Sequence, residues 1–387
     1  MKKLSRSVRL AIVVALGIAA SLGHAQTLTV LYSFKGGTDG NGPVAGLVLD
    51  TTGNLYGTTQ LGGSAGNGVV FKVDTTGAET VLHSFTGKTD GGQPVAGLLR
   101  DTAGNLYGTA EWGGSSNLGV VFKLTTTNKL VVLHSFSSVD DGANPVASLV
   151  RDSSGNLYGT TCCGGDTGLL DGTLFKISPT RNWTIMHSFG TSTDGQFPFA
   201  GLIRDSAGNL YGTTLRGGAF NFGTVFKVGA SGNETVLYDF TGGADGAYPQ
   251  AGLVRDGAGN LYGTTTGGGS ASGNAGNGVV FKLTPTGQET TLITFTGGAD
   301  GALPYAGLIR DSAGNLYGTT SAGGTFQWGN IFKLDKTGKE AVLYNFTGGA
   351  DGSCPMAGLI RDSAGNLYGT TQFGGRTQSG VVFKLIP

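Results

Sequence analysis

Seven aspartates, Asp39, Asp90, Asp141, Asp194, Asp245, Asp300 and Asp351, each precede a glycine at near-regular intervals along this 387-residue chain. A ring of such carboxylates near one face is an array that can hold a divalent cation, with Ca2+ the natural candidate. Asp-Gly is also ordinary turn chemistry, and no unit has the dense acidic spacing of a calcium loop, so a turn with no cofactor is the simpler expectation. A second set is aromatic: Phe197, Phe199, Phe220, Phe222, Tyr248, Tyr305, Phe326 and Trp328 crowd the second half of the chain, with Trp112 as an outlier. Exposed rings offer flat faces for a sugar ring or a peptide. The competing reading is packing between units, because Val44, Val95 and Val146 occupy the position of Phe199, Gln250 and Tyr305.

Catalytic constellations are thin. His83, His134 and His187 share one repeated position with Tyr32, Tyr238, Tyr344 and Ile293, an interchange that reads as packing, and none joins a nucleophile at a non-repeated position. Glu111, Arg216, Asp166 and Asp171 are lone loop charges. Arg100, Arg151, Arg204, Arg255, Arg310 and Arg361 adjoin an aspartate in every unit but the first, which reads as ion pairing across units, with an anion site as the sharper alternative. Of the three cysteines, Cys162 and Cys163 are adjacent and Cys354 lies far along the chain. Free thiols and an oxidised vicinal pair are both open.

The elements that must position these residues follow from a repeat. Asp-x-x-Gly-Asn-Leu-Tyr-Gly-Thr recurs with its tyrosine at Tyr56, Tyr107, Tyr158, Tyr211, Tyr262, Tyr317 and Tyr368, a period of fifty-odd residues that belongs to solenoids and propellers. Each unit holds four short β-type runs; in the sixth they are Tyr305–Arg310, Asn315–Thr320, Gly329–Leu334 and Glu340–Phe346. Asp311-Ser312-Ala313-Gly314 joins the first two, and in the fifth unit Thr284-Pro285-Thr286-Gly287 joins the last two; both have the residue types of tight hairpins. Four antiparallel strands per unit form a propeller blade. The chain begins on a fourth-type run, Leu28–Phe34, and stops on a third-type run, Gly380–Leu385, so the N-terminal strand is expected to complete the last of seven blades. The expected domain is one seven-bladed all-β propeller over residues 26–387.

Units such as AGLIRDSAGNLYGTTSAGGTFQWGNIFKLDKTGKEAVLYNFTGGADG resemble the GloVer tandem repeat, and the likeness runs over nearly all of residues 27–387. The resemblance implies an exported bacterial repeat protein of undefined biochemical role, and it supplies no catalytic residues. Many relatives carry a C-terminal anchor, which Leu385-Ile386-Pro387 does not resemble.

Lys2, Lys3, Arg6 and Arg9 precede an apolar run, Leu10–Leu22, and Gly23-His24-Ala25 has a cleavable pattern, so residues 1–25 read as a signal peptide and the product as periplasmic or extracellular. Losing those four cations leaves 21 Lys and Arg against 25 Asp and Glu, which excludes a nucleic-acid binder, and no later run could span a membrane. Length variation falls in the Gly-Gly loops between second and third strands; these and the Asp-Gly-x-x-Pro loops should share one face. The reading is a monomeric binding or scaffold protein that recognises a saccharide or protein surface there. The alternative is a lyase or hydrolase acting at the axis through ring carboxylates and a divalent metal.

Overall fold

The computed structural model describes residues 26–165, 171–190, 193–270 and 276–387; the signal-peptide segment and Asp166 lie outside them. Among the described residues, seven four-stranded antiparallel sheets are arranged as a propeller, with one short 3-10 turn, Val139–Asp141. Blade 1 comprises Val48–Leu49, Leu55–Thr59, Val69–Val73 and Glu79–Ser84, paired in chain order. Blade 7 takes Ile360–Arg361, Leu367–Thr371 and Val381–Ile386 from the end of the chain and Thr27–Ser33 from its beginning. Thr27 faces Ile386 and Ser33 faces Val381, so the N-terminal strand closes the ring as expected.

The repeated motif is a hydrogen-bonded unit. In the first hairpin of blade 1, Asp50 accepts Asn54 N–H and Asn54 Nδ2, both at 2.9 Å, and Tyr56 Oη at 3.0 Å. Burial alone would raise the Asp101, Asp152 and Asp205 carboxyls of the same hairpin, but these hydrogen bonds outweigh it and hold them below the ordinary range. The arginines do not pair with these aspartates. Arg100 lies over the Tyr56 ring of the preceding blade, 5.8 Å from its centroid, and Arg151 and Arg255 sit over Tyr107 and Tyr211 at 6.0 Å. The expected ion pair gives way to a cation over an aromatic face because asparagine and tyrosine already fill the carboxylate.

Two cyclic ladders hold the blades together. The phenylalanine just past the fourth strand of each blade meets a third-strand phenylalanine of the next edge-on: Phe85 and Phe122 at 5.3 Å, Phe240 and Phe281 at 5.1 Å, and Phe34 and Phe71 at 5.0 Å across the closure. The motif glycine makes room for this ring, since a Cβ on Gly57 would stand 2.6 Å from Phe71 Cζ. Nearer the axis, a buried second-strand threonine of each blade donates to an alanine carbonyl of the next, as Thr58 does to Ala96 at 3.2 Å and Thr370 to Ala45 at 3.2 Å.

The first strands are shorter than the sequence pattern implies: only Ile309–Arg310 of the run beginning at Tyr305 pairs. The preceding residues converge on the axis, where a Cβ on Gly307 would be 2.9 Å from the Gly252 carbonyl oxygen of the neighbouring blade.

Candidate functional site

The axis is walled by backbone. Seven three-residue segments, of which Val44-Ala45-Gly46 is typical, line a central cavity of about 160 Å3; Ser148 takes the place of the glycine in blade 3. No carboxylate, histidine or cysteine belongs to this lining. Phe199, Gln250, Tyr305 and Met356 contribute to it from blades 4 to 7, where the first three blades have valine. Phe199 and Tyr305 are accordingly half-buried axial side chains.

The Gly-Gly and Asp-Gly-x-x-Pro loops of each blade do share one face and pair with each other: Asn41 bridges Leu61, Gly92 bridges Trp112, Ala302 bridges Ala322 and Ser353 bridges Phe373. Just before its third strand each blade offers a carbonyl to the next loop, as when Tyr248 N–H donates to Phe222 O at 2.8 Å and Cys354 N–H to Trp328 O at 3.0 Å. The donating residue of each such bond is left-handed, with φ of 53° at Gln93, 59° at Phe197 and Tyr248, and 55° at Leu303. Bulky residues rarely adopt this region, and it persists only where surrounding bonds impose it. Here Tyr248 is fixed on both sides, because its carbonyl also accepts Thr266 N–H at 3.2 Å.

Of the nine aromatic candidates, Trp112, Phe220, Phe326 and Trp328 are exposed, at 39, 54, 51 and 47 %. Phe197, Phe199, Phe222, Tyr248 and Tyr305 are half-buried. Phe222 meets Tyr248 edge-on at 5.7 Å, and the Arg216 guanidinium lies 5.3 Å over the Tyr248 ring. Trp328 covers Gly348 of the following loop, where a Cβ would be 2.5 Å from its Nε1. Leu61 and Phe373, exposed at 41 and 45 %, hold the same position as Trp112 in blades 1 and 7. Sequence reasoning missed both; their alignment with Trp112 was the available signal. Exposed apolar groups thus lie around the loop face rather than on one side of it.

The seven Asp-Gly aspartates stand one per blade, and six of them face a side chain of the outer strand that precedes them. Asp39 accepts Tyr32 Oη and Lys35 N–H, both at 2.8 Å; Asp245 accepts Tyr238 Oη at 3.0 Å and Thr241 N–H at 2.7 Å; Asp351 accepts Tyr344 Oη at 3.0 Å. Asp90 and Asp194 meet His83 and His187 Nε2 at 3.1 and 3.2 Å. Asp141 stands 3.4 Å from His134, whose ring is stacked at 3.8 Å on Trp183. Asp300, seven residues after Ile293, takes Thr296 N–H and Oγ1 instead. His83 and His187 are therefore polar partners rather than the packing groups that exchange with Ile293 implied, while His134 packs on Trp183 as well as facing its aspartate; histidine and tyrosine interchange because both reach towards the carboxylate seven residues on. No group of three or more His, Cys, Asp or Glu placed to hold a metal is found among the described residues.

Of the lone loop charges, Asp171 accepts Gln196 Nε2 at 2.9 Å, and burial pushes the Glu111 carboxyl up. Cys162 and Cys163 lie with their sulfurs 2.9 Å apart, whereas Cys354 stands in the blade 7 loop. No helix among the described residues is long and apolar enough to cross a membrane.

The Gloeobacter/Verrucomicrobia repeat model matches residues 17–219, 75–273 and 270–387. The chain has no match among curated proteins. Among solved structures it is similar to the extracellular domain of the putative hybrid two component system BT4673 from B. thetaiotaomicron, with a TM-score of 0.60, 12% identity, and coverage of 92% of this chain and 39% of that one. The extracellular domain described as the putative one component system BT4673 gives a TM-score of 0.57 at 10% identity, covering 88% and 38%. The chain thus spans about two fifths of the length of these relatives, and the likeness is one of fold.

Proposed function

We propose that this chain, which belongs to the Gloeobacter/Verrucomicrobia repeat family, is an exported binding or scaffold propeller that recognises a saccharide or protein surface through its loop face. One observation carries the reading. Of the eight large apolar side chains exposed among the described residues, Leu61, Trp112, Val139, Phe220, Phe326, Trp328 and Phe373 lie on the loops of that face, and Ile386 alone does not. Concentrated exposed apolar surface of this kind marks interaction sites. The left-handed Phe197 and Tyr248 add support, since strained backbone at bulky residues gathers at functional surfaces.

The aromatic faces and the Arg216 fork suit a sugar ring or a peptide. The loop backbone is largely engaged in its own bridges, which leaves side chains to do the recognition. The leader-like residues 1–25 support delivery to the periplasm or beyond, and the acidic balance argues against nucleic acid. An axial lyase or hydrolase is the weaker reading because the axial lining consists of small and apolar residues with one glutamine and one tyrosine.

The test is tryptophan fluorescence of the full chain titrated with a panel of oligosaccharides and peptides. Trp112 and Trp328 are exposed while Trp183 is wedged between His134 and Phe175. A loop-face ligand should shift the emission of the wild type and leave that of a Trp112→Phe, Trp328→Phe variant unchanged. A shift that survives in the variant would place the ligand elsewhere.

A further inference from the structure

The adjacent thiols of blade 3 sit in the same loop frame that holds Gln60-Leu61 and Gln372-Phe373, but here both side chains are thiols. The second strand ends at Thr161, and in a regular strand successive side chains point to opposite faces. Immediately past that end the chain bends, bringing Cys162 Sγ to 2.9 Å from Cys163 Sγ. Four hydrogen bonds clamp this dipeptide: Cys162 N–H to Asn144 O and Cys163 N–H to Ala143 O, both at 3.2 Å, and Ala143 N–H and Thr161 Oγ1 to Cys163 O, both at 2.8 Å. The equivalent positions elsewhere hold Gln60-Leu61, Glu111-Trp112, Leu215-Arg216, Thr266-Gly267, Ser321-Ala322 and Gln372-Phe373. Cys354, the remaining cysteine, is three blades away around the closed ring and bonded through its N–H to Trp328 O, so the pair has no competing thiol.

We propose that Cys162 and Cys163 are a dithiol–disulfide couple on the rim of the loop face, oxidised by exchange with an external small-molecule disulfide. Cys163 is the attacking sulfur because it is the more exposed of the two and shares a thiol–thiol hydrogen bond with the buried Cys162, their sulfurs 2.9 Å apart. That bond favours the Cys163 thiolate and pushes the Cys162 thiol up, while burial and the neighbouring Glu111 and Asp171 carboxylates oppose the thiolate. The Cys163 thiolate attacks the external disulfide, forms a mixed disulfide and releases one thiolate. Cys162 then gives up its proton and attacks Cys163 Sγ, releasing the second. Two protein thiols and one external disulfide become one vicinal disulfide and two external thiols, the two electrons passing to the external pair. The product replaces a polar thiol on the rim with an S–S bond beside the bridge between Ala143 and Cys163.

The test is a thiol count on the native full chain after equilibration with oxidised glutathione, followed by unfolding, alkylation and intact mass. The chain has three cysteines, so the expected result is a single alkylation, at Cys354. The 162–163 peptide should be lighter by about 2 Da, the mass of the two hydrogens lost on oxidation, and carry no glutathione. A Cys354→Ser variant should lose both remaining thiols. A Cys163→Ser variant should retain Cys162 reduced or as an adduct. Oxidation in urea should give glutathione adducts instead, because the clamp is gone. Three alkylations of the native chain, stable adducts on Cys162 or Cys163, or a disulfide-linked dimer would each overturn the proposal.

Discussion

The hydroxyl of Thr370, in the last blade, donates to the carbonyl of Ala45, in the first, at 3.2 Å across 325 residues of sequence. This is the same bond that Thr109 makes to Ala147 and Thr213 to Ala251 between consecutive blades, so the ring closes with the interaction that builds it. Farther from the axis Phe34 on Phe71 repeats the phenylalanine contact at 5.0 Å.

If the closure is energetically one more blade junction, Phe34→Ala and Phe85→Ala should cost alike. Deleting a fully buried phenylalanine costs about 3–5 kcal/mol, and both rings are 0 % exposed. Urea unfolding of the two variants should show comparable losses. An unchanged midpoint for Phe34→Ala would mean that the N-terminal strand does not seal the ring.

The motif glycine should tolerate no side chain. A Cβ on Gly263 would lie 2.6 Å from Phe281 Cζ, whereas Gly257, at the tip of a hairpin, has nothing within 4 Å. Gly263→Ala is expected to destabilise by about 1–3 kcal/mol, the usual range for overpacking a core, and Gly257→Ala to leave the melting temperature almost unchanged. Equal behaviour of the two would refute the assigned contact.

At His83 the polar role predicts an asymmetry. His83→Tyr should preserve stability, because Tyr32, Tyr238 and Tyr344 already donate to the equivalent aspartates. His83→Leu should cost about 1 kcal/mol by removing a partner of Asp90. Thermal denaturation near neutral pH separates these outcomes; an equal loss in both variants would return the position to simple packing.

Stability should fall as pH rises towards neutrality. Burial, reinforced by Asp39, Asp194, Asp245 and Asp300 respectively, pushes Glu79, Glu234, Glu289 and Glu340 up from an ordinary 4.5 to about 7. The folded state therefore keeps protons that the unfolded chain has already lost, and its advantage declines between pH 4.5 and 7 and is then constant. Since these groups are only half-buried, the slope should be shallow. Replacing all four by glutamine should flatten the melting-temperature profile in that window; an unaltered slope would contradict the assignment.

Much of this architecture was legible in the chain. The spacing of the seven tyrosines and the complementary partial units at Leu28–Phe34 and Gly380–Leu385 led to seven blades and their closure, because a repeat reports its own period. The candidate site was less legible. Nothing in the sequence said that Asp50 would be satisfied by Asn54 and Tyr56 so completely that Arg100 would turn to an aromatic ring, since that choice depends on geometry across a blade interface. Likewise Phe199 and Tyr305 belong to the axial lining although their aromatic type suggested the loop face, and Phe373 escaped notice because its alignment with Trp112 shows only when the loops of different blades are compared position by position.

The central claim is recognition through the loop face, and the most direct measurement is a thermal-shift screen of the full chain against oligosaccharides, peptides and divalent cations. It should be repeated on a Phe222→Ala, Trp328→Ala double variant. A ligand that binds only the folded state raises the melting temperature, by mass action. The account predicts a rise with a saccharide or a peptide that the double variant loses while its own unliganded melting remains cooperative. A rise confined to Ca2+ and unchanged in the variant would contradict it and return attention to the aspartates of the outer turns.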